Sequence, residues 1–227
     1  MANQNIKVSV DAVVFGYTSL EGLSILLVKR GIEPYKGVWA LPGGLVHDDE
    51  SLEHAVEREL QEETGVSINY LEQLYSFGAP KRDPRNRVVS IAYYGLVKPS
   101  AFHLKADSDA SEAAWFNTKA LPNLAFDHQA IITTAITRLQ GKIMYEPIGF
   151  ELLEPKFPFS ELEKLYTTVL DKPIDRRNFK KKVMKYGFII ETKEKQKLIG
   201  AGRPGNLYRF DEKRYFQLKK SGVNFEL

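Results

Sequence analysis

Cysteine is absent from the 227 residues. That excludes disulfide bridges and thiolate metal sites. Long apolar runs are also missing. None approaches the roughly 20 residues that a membrane-spanning helix needs. The opening stretch, MANQNIKVSVDAVVF, lacks the basic-then-apolar order of a secretory signal. These absences lead us to expect a cytoplasmic protein with no membrane partner. The chain does have the composition of a globular protein, with 43% hydrophobic and 27% charged residues, and enough length for one large or two small domains.

The net charge of +3 conceals an asymmetry. Residues 1–150 carry 14 Lys/Arg against 18 Asp/Glu, a net of −4, whereas residues 151–227 carry 18 against 11, a net of +7. An acidic front and a basic back imply two domains with different partners, 1–150 and 151–227, the second drawn to a polyanion. Pro155-Lys156-Phe157-Pro158 lies near the shift and reads as the boundary.

The most informative stretch is GLVHDDESLEHAVERELQEETGV, Gly44 to Val66. From Leu52 it reads as a helix that Gly65 stops, because glycine suits the left-handed position after a helix end. At about 100° per residue, Leu52, Ala55, Val56 and Leu60 form one apolar stripe. Glu59 and Glu63 fall inside that stripe and Glu62 sits at its edge; Glu53, His54, Glu57 and Gln61 face outward. Carboxylates on a core-facing stripe are costly unless something compensates them. A hard divalent cation does so, and Mg²⁺ suits a site that also holds phosphates. The plain alternative is a Glu-rich surface helix paired to Lys or Arg. The spacing argues against it: Gly44, Glu50, Arg58, Glu59, Leu60, Glu62, Glu63, Gly65 and Val66 match all nine fixed positions of the Nudix box. The stretch thus resembles the loop–helix–loop signature of hydrolases acting on nucleoside diphosphates linked to another moiety. The resemblance implies Glu59, Glu62 and Glu63 as metal ligands, one of them a candidate base, with Arg58 and Glu50 bracing the loop against the helix. It also implies that Gly43 and Gly44 let the backbone approach metal or phosphate.

Around the box, Val8 to Tyr17 and Leu23 to Arg30 read as a strand hairpin. Arg30 either touches a bound phosphate or is a strand-end charge. The run Lys81 to Arg87 is a polar loop that is either solvated or helps to hold an anion; we expect the solvated form. Arg87 to Lys98 is a strand, Ala101 to Glu112 is loop-like, and Ala113 to Phe116 is a short apolar element. Asp127 is positioned to cap a helix from His128 to Leu139 that Gly141 ends. His128 itself is either a ligand or, as is commoner at a helix start, a capping or surface residue. The first domain is therefore expected to be an α/β/α sandwich with a mixed sheet.

In the basic third, Ser160 and Glu163 are spaced as a capping box for a helix bearing Leu162, Leu165, Tyr166 and Val169. Asp175 caps the next helix, Arg176 to Tyr186, with Gly187 as its stop. Phe179, Val183 and Tyr186 face inward, and Arg177, Lys181, Met184 and Lys185 point away, with Asn178 and Lys180 at the flanks. Strands Phe188–Thr192 and Asn206–Phe210 flank a Gly-rich basic loop. Helix, helix and hairpin read as a winged helix. Its expected DNA contacts are Arg176, Arg177, Asn178, Lys180, Lys181, Lys185 and Arg203. The aromatic stacking surface favoured by single-stranded RNA is not evident.

An α+β chain with a Nudix sandwich followed by a winged helix resembles the Nudix-related transcriptional regulators of bacteria. The C-terminal part of the likeness rests on Lys172 to Lys180 and Gly202 to Arg209. The resemblance implies a regulator that binds double-stranded DNA as a homodimer and senses ADP-ribose or another nucleotide-sugar or sugar effector. Many such regulators carry a degraded box. Here the box is intact, so a Mg²⁺-dependent pyrophosphohydrolase of the ADP-ribose class stands beside the regulator reading.

Overall fold

The computed structural model describes residues 5–68, 70–102, 104, 110–196, 204–222 and 225–227. The chain forms two compact units, Met1–Arg138 and Leu139–Leu227. The division lies ahead of the 150/151 boundary suggested by the charge shift.

In the first unit, β1 (Lys7–Thr18) and β2 (Gly22–Arg30) pair antiparallel, as their Val- and Leu-rich sequences predict. The short strands β3 (Trp39–Ala40) and β4 (Gly43–Leu45) lead into helix α1 (Leu52–Thr64). Next come β5 (Tyr70–Phe77), β6 (Val88–Val97), β7 (Ala110–Asn117) and helix α2 (His128–Lys142), which begins in this unit and ends in the second. The sheet follows the path β3-β2-β1-β6-β5, with β4 also on β1 and β7 on β2. It is mixed because β1 and β6 run parallel while the other pairs are antiparallel.

Strand β1 is buried on both faces, as a central strand between two covering layers must be. Val10, Ala12 and Val14 meet Ala55, Val56 and Leu60 of α1. The alternate residues Asp11, Val13 and Phe15 are also buried, and Asp11 reaches His128 at the start of α2. The mixed-sheet sandwich is therefore observed. Two details differ from the sequence reading. Strand β7 begins at Ala110, inside the stretch read as loop. Helix α2 runs through Gly141, since Leu139 and Ile143, four apart and fully buried, outweigh the modest cost of a helical glycine.

The second unit contains β8 (Phe157–Pro158), α3 (Phe159–Leu170), α4 (Arg176–Lys185), β9 (Ile189–Lys195), β10 (Asn206–Phe210) and α5 (Glu212–Lys220). Helix, helix and hairpin are arranged as a winged helix, with β8 as a third strand on β10. Pro158 is tolerated there because β8 is an edge strand. Thus Phe157–Pro158, read as part of the domain boundary, belongs to the sheet of the second unit. Ser160 does not cap α3. The helix starts one residue earlier, at the buried Phe159, and the Glu163 carboxylate turns to Arg176, at 3.1 Å. Asp175 does cap α4, accepting from the Asn178 N–H at 2.7 Å. Helix α5 was not anticipated from sequence; Asp211 caps it through the Arg214 N–H at 3.1 Å. An aromatic cluster fills this unit, with Phe150 stacked on Phe210 at 4.3 Å and Phe188 against both Phe210 and Phe225.

Candidate ligand site and nucleic-acid interface

Helix α1 opens at Ser51, whose hydroxyl accepts the His54 N–H at 3.2 Å. It closes at Gly65, with φ 71, where a side chain would be strained. Between these caps Ala55, Val56 and Leu60 are buried and hold the helix on the sheet, which fixes the direction of its acids. Glu63 is buried and accepts the Gly43 N–H at 2.9 Å. Burial pushes its carboxyl up to about 8, and the like charges of Glu59 and Asp11 add to the effect. Burial also raises Glu59, against the pull of Arg58. Glu62 is exposed.

Arg58 gathers this side of the site. It grips Glu50 at 2.7 and 3.0 Å, the Leu45 carbonyl at 3.2 Å, Glu59 at 2.8 Å and Glu62 at 3.3 Å. The paired guanidinium holds the Glu50 carboxyl down to about 2. Arg58 and Glu50 thereby tie the loop after β4 to the helix. A Cβ on Gly44 would sit 2.1 Å from a Glu59 oxygen, and one on Gly43 2.1 Å from the Val10 carbonyl. At Gly43 the clash is with backbone and excludes any side chain, whereas at Gly44 a side chain would displace the Glu59 carboxylate.

A cavity of about 430 Å³ opens over these residues. Glu59, Glu62 and Glu63 line it, together with Arg30, Arg82, Arg85 and Phe126. Arg30 donates through Nε to the Pro34 carbonyl at 2.8 Å, and its guanidinium carbon lies 4.9 Å from the centre of the Phe126 ring. Arg30 thus ends β2 and also lines the cavity. Arg85 approaches the same ring at 5.9 Å while paired to Asp83 at 2.8 Å.

The loop from Lys81 to Arg87 is not merely solvated, as expected from its polarity, because Arg82 and Asp83 are buried. Arg82 binds Asp127 through two nitrogens, at 2.7 and 3.0 Å, and Asp11 at 3.2 Å; Ser90 also donates to Asp11. His128 is neither a surface residue nor a cap. It is 3% exposed, its Nδ1 accepts the Leu41 N–H at 2.8 Å, and its Nε2 lies 3.4 Å from Asp11. An acceptor at Nδ1 places the proton of the neutral ring on Nε2, facing Asp11. Burial lowers the His128 pKa, against the pull of Asp11.

Sequence reasoning did not single out Asp11, Phe126 or the Arg82–Asp127 pair. Asp11 had a signal, as one acid inside the apolar run VSVDAVVF. Phe126 had none, because its place in the cavity depends on how the loop before α2 folds.

In the second unit, α4 buries Phe179 and Val183 and exposes Arg176, Arg177, Asn178, Lys180, Lys181 and Lys185. Arg177, Lys181 and Lys185 succeed one another at intervals of four and form one stripe. Among the described residues none of the three has an ion pair. Arg176 is paired to Glu163, and the Lys180 ammonium meets the Tyr208 hydroxyl at 3.2 Å. Arg203 lies outside the described residues.

Two family models match the two parts of the chain: a NUDIX domain over residues 6–135 and an NrtR DNA-binding winged helix domain over residues 149–210. Over 205 residues the chain is 34% identical to the ADPR responsive transcriptional repressor NtrR of Acinetobacter baylyi, covering 89% of this chain and 81% of that protein. The chain belongs to the Nudix-related transcriptional regulators. Among other relatives of this Nudix regulator, Shewanella oneidensis NrtR, solved in complex with a 27mer DNA, aligns with a TM-score of 0.74 at 34% identity. The alignment spans 89% of this chain and 93% of that one. The NUDIX domain of the same protein, solved in complex with ADP ribose, aligns with a TM-score of 0.55 at 36% identity, over 61% of this chain and 90% of that one. The Nudix part also resembles the ADP-ribose pyrophosphatase of Methanocaldococcus jannaschii, at 46% identity over 108 residues, 48% of this chain and 63% of that enzyme.

Proposed function

We propose that this Nudix regulator is an ADP-ribose-responsive repressor that binds double-stranded DNA through its winged helix and ADP-ribose, or a related nucleotide-sugar or sugar effector, in its Nudix domain. The observation that carries the reading is the likeness, through both units, to a repressor of that description. The chemistry supports it. One cavity is lined by carboxylates, guanidinium groups and an aromatic ring, which suits a diphosphate attached to a base. The Arg177–Lys181–Lys185 stripe places like charges at i,i+4 spacing, an arrangement that destabilises a helix unless a polyanion neutralises it. A homodimer follows, because paired recognition helices read half-sites about 34 Å apart. The cytoplasm is its expected place, as the compartment of the DNA; no described helix is long and apolar enough to cross a membrane. The test is binding to a duplex from upstream of its own coding region, with ADP-ribose titrated in. A change in DNA affinity of about fivefold or more is expected; no binding, or binding indifferent to ADP-ribose, overturns the reading.

The intact box supports a second reading, a Mg²⁺-dependent pyrophosphohydrolase that splits ADP-ribose into AMP and ribose 5-phosphate. Glu59, Glu62 and Glu63 would hold the cation. Their fit is chemical: hard oxygen donors lining one cavity, with two of them raised by burial. No group of three acids or histidines is already gathered for a metal among the described residues. Glu59 and Glu62 each give one oxygen to Arg58, and Glu63 one to the Gly43 N–H, which leaves the second oxygen of each carboxylate as a donor to a cation. A bound divalent cation supplies charge neutralisation at the phosphoryl oxygens and an activated water. Arg58, held by Glu50, keeps the acids and the loop in place. Phosphate release from ADP-ribose with Mg²⁺ and an added phosphatase, abolished in Glu63→Gln, is the expected result; turnover equal in both proteins overturns this assignment.

A further inference from the structure

Lys180 lies in the basic run of α4, yet its ammonium is engaged with the body of its own unit. By helix geometry it sits roughly 60° from Arg177, on the shoulder between the cationic stripe and the buried Phe179/Val183 face. Its Nζ is 3.2 Å from the Tyr208 hydroxyl, 5.2 Å from the Phe159 ring centre and 5.4 Å from that of Tyr208. Phe159 and Tyr208 are both buried, on α3 and β10 respectively, so one side chain attaches α4 to two other elements by cation–π contact and hydrogen bond.

The chain of contacts continues. The Tyr208 hydroxyl accepts from Lys180 and donates to Glu191 on β9, at 3.2 Å. The other Glu191 oxygen accepts the side-chain amide of Asn206. Asn206 and Tyr208, two apart, share a face of β10 and converge on Glu191, across a shift in the β9–β10 register. Lys180 thus meets an opposite charge through a phenol, and that charge is fixed to the base of the hairpin.

We propose that Lys180 is a positioning residue, not a phosphate contact. Through Tyr208 and Glu191 it sets the angle between recognition helix α4 and the β9–β10 hairpin, so that both reach DNA together. This rests on the DNA-binding reading above. The phosphate-facing role belongs to Arg177, Lys181 and Lys185.

The test compares Lys180→Met, Tyr208→Phe and the double variant with wild type, each as the full chain, on a duplex that the wild-type chain selects from a randomised pool. Binding is read across a salt series, below the unfolding midpoint of every variant. Each single change is expected to weaken affinity about tenfold, the scale of a charge-assisted hydrogen bond. The double variant is expected to be no weaker than the weaker single, because both changes break one chain of contacts. Tyr208→Phe removes no charge. If Lys180 makes no phosphate contact of its own, the two single variants share one salt slope. A Lys180→Met slope shallower than that of Tyr208→Phe by about 0.9 would mean that Lys180 itself neutralises a phosphate, and would overturn the proposal. Additive losses, or Tyr208→Phe binding like wild type, would overturn it too. Failure of the wild-type chain to select any duplex would instead overturn DNA recognition itself.

Discussion

At Glu63, burial and the like charges of Glu59 and Asp11 outweigh the Gly43 N–H and Arg30, so the folded protein holds the carboxyl proton up to about pH 8. The unfolded chain releases it near the ordinary glutamate value of 4.5. Across that window the folded state binds more protons than the unfolded, and stability falls as pH rises. Without divalent cation, the melting temperature should drop from pH 5 to pH 8 by at least about 2 °C. Glu63→Gln, which keeps an acceptor for Gly43, should remove that part of the slope, as thermal melts of both proteins across pH would show. Added Mg²⁺ should raise the midpoint at pH 8 in wild type and not in the variant. Arg82 poses the opposite case, a buried cation whose removal leaves Asp11 and Asp127 uncompensated. Arg82→Met should cost about 3 kcal/mol or more in urea unfolding. Asp127→Asn placed on that background should recover part of the loss, because it removes one of the stranded charges.

Elements place these residues. Helix α1 lies along β1 through Ala55, Val56 and Leu60, and the same turns direct Glu59 and Glu63 toward the two-glycine strand β4. Helix α4 works by the same division of faces. Phe179 and Val183 anchor it, so its basic side is presented outward. As the proposed DNA contact, the stripe should act as a unit. Arg177→Ala and Lys181→Ala should each reduce the dependence of log affinity on log salt by about 0.9 for every phosphate no longer neutralised, without altering the fold. Circular dichroism and a salt series check both halves of that statement. An unchanged slope would remove the stripe from the DNA contact surface.

For the whole molecule, the regulator reading requires that the cavity in one unit and the basic stripe in the other report to each other as a coupling free energy. Linkage makes that coupling reciprocal. If ADP-ribose changes DNA affinity by some factor, DNA must change ADP-ribose affinity by the same factor. Calorimetric titration of ADP-ribose into the free protein and into the DNA complex should return that same ratio. Hydrolysis would complicate the comparison, so Glu63→Gln is the form to use if wild type turns the ligand over. A ligand bound with equal affinity in both states would leave DNA binding unchanged however tightly it bound.

The sequence alone carries the two-part architecture, the hairpin of β1 and β2, the start and stop of α1, and the nine-position box. These features are local: hydrophobic period, caps and fixed spacing act within a few turns of chain. The inward face of α4 is legible for the same reason. Where polar side chains end is a matter of the fold. Ser160 and Glu163 have the spacing of a capping box, but burial of Phe159 moves the helix start and Arg176 takes the glutamate. Gly141 has the look of a stop, but packing of Leu139 and Ile143 carries the helix past it. Arg82 and His128 have the character of surface residues until Asp11, from a strand some 70 residues or more away in sequence, supplies the buried charge that holds them. A buried polar group is stable only with its partner, and that partner is chosen by the fold, not by its neighbours in the chain.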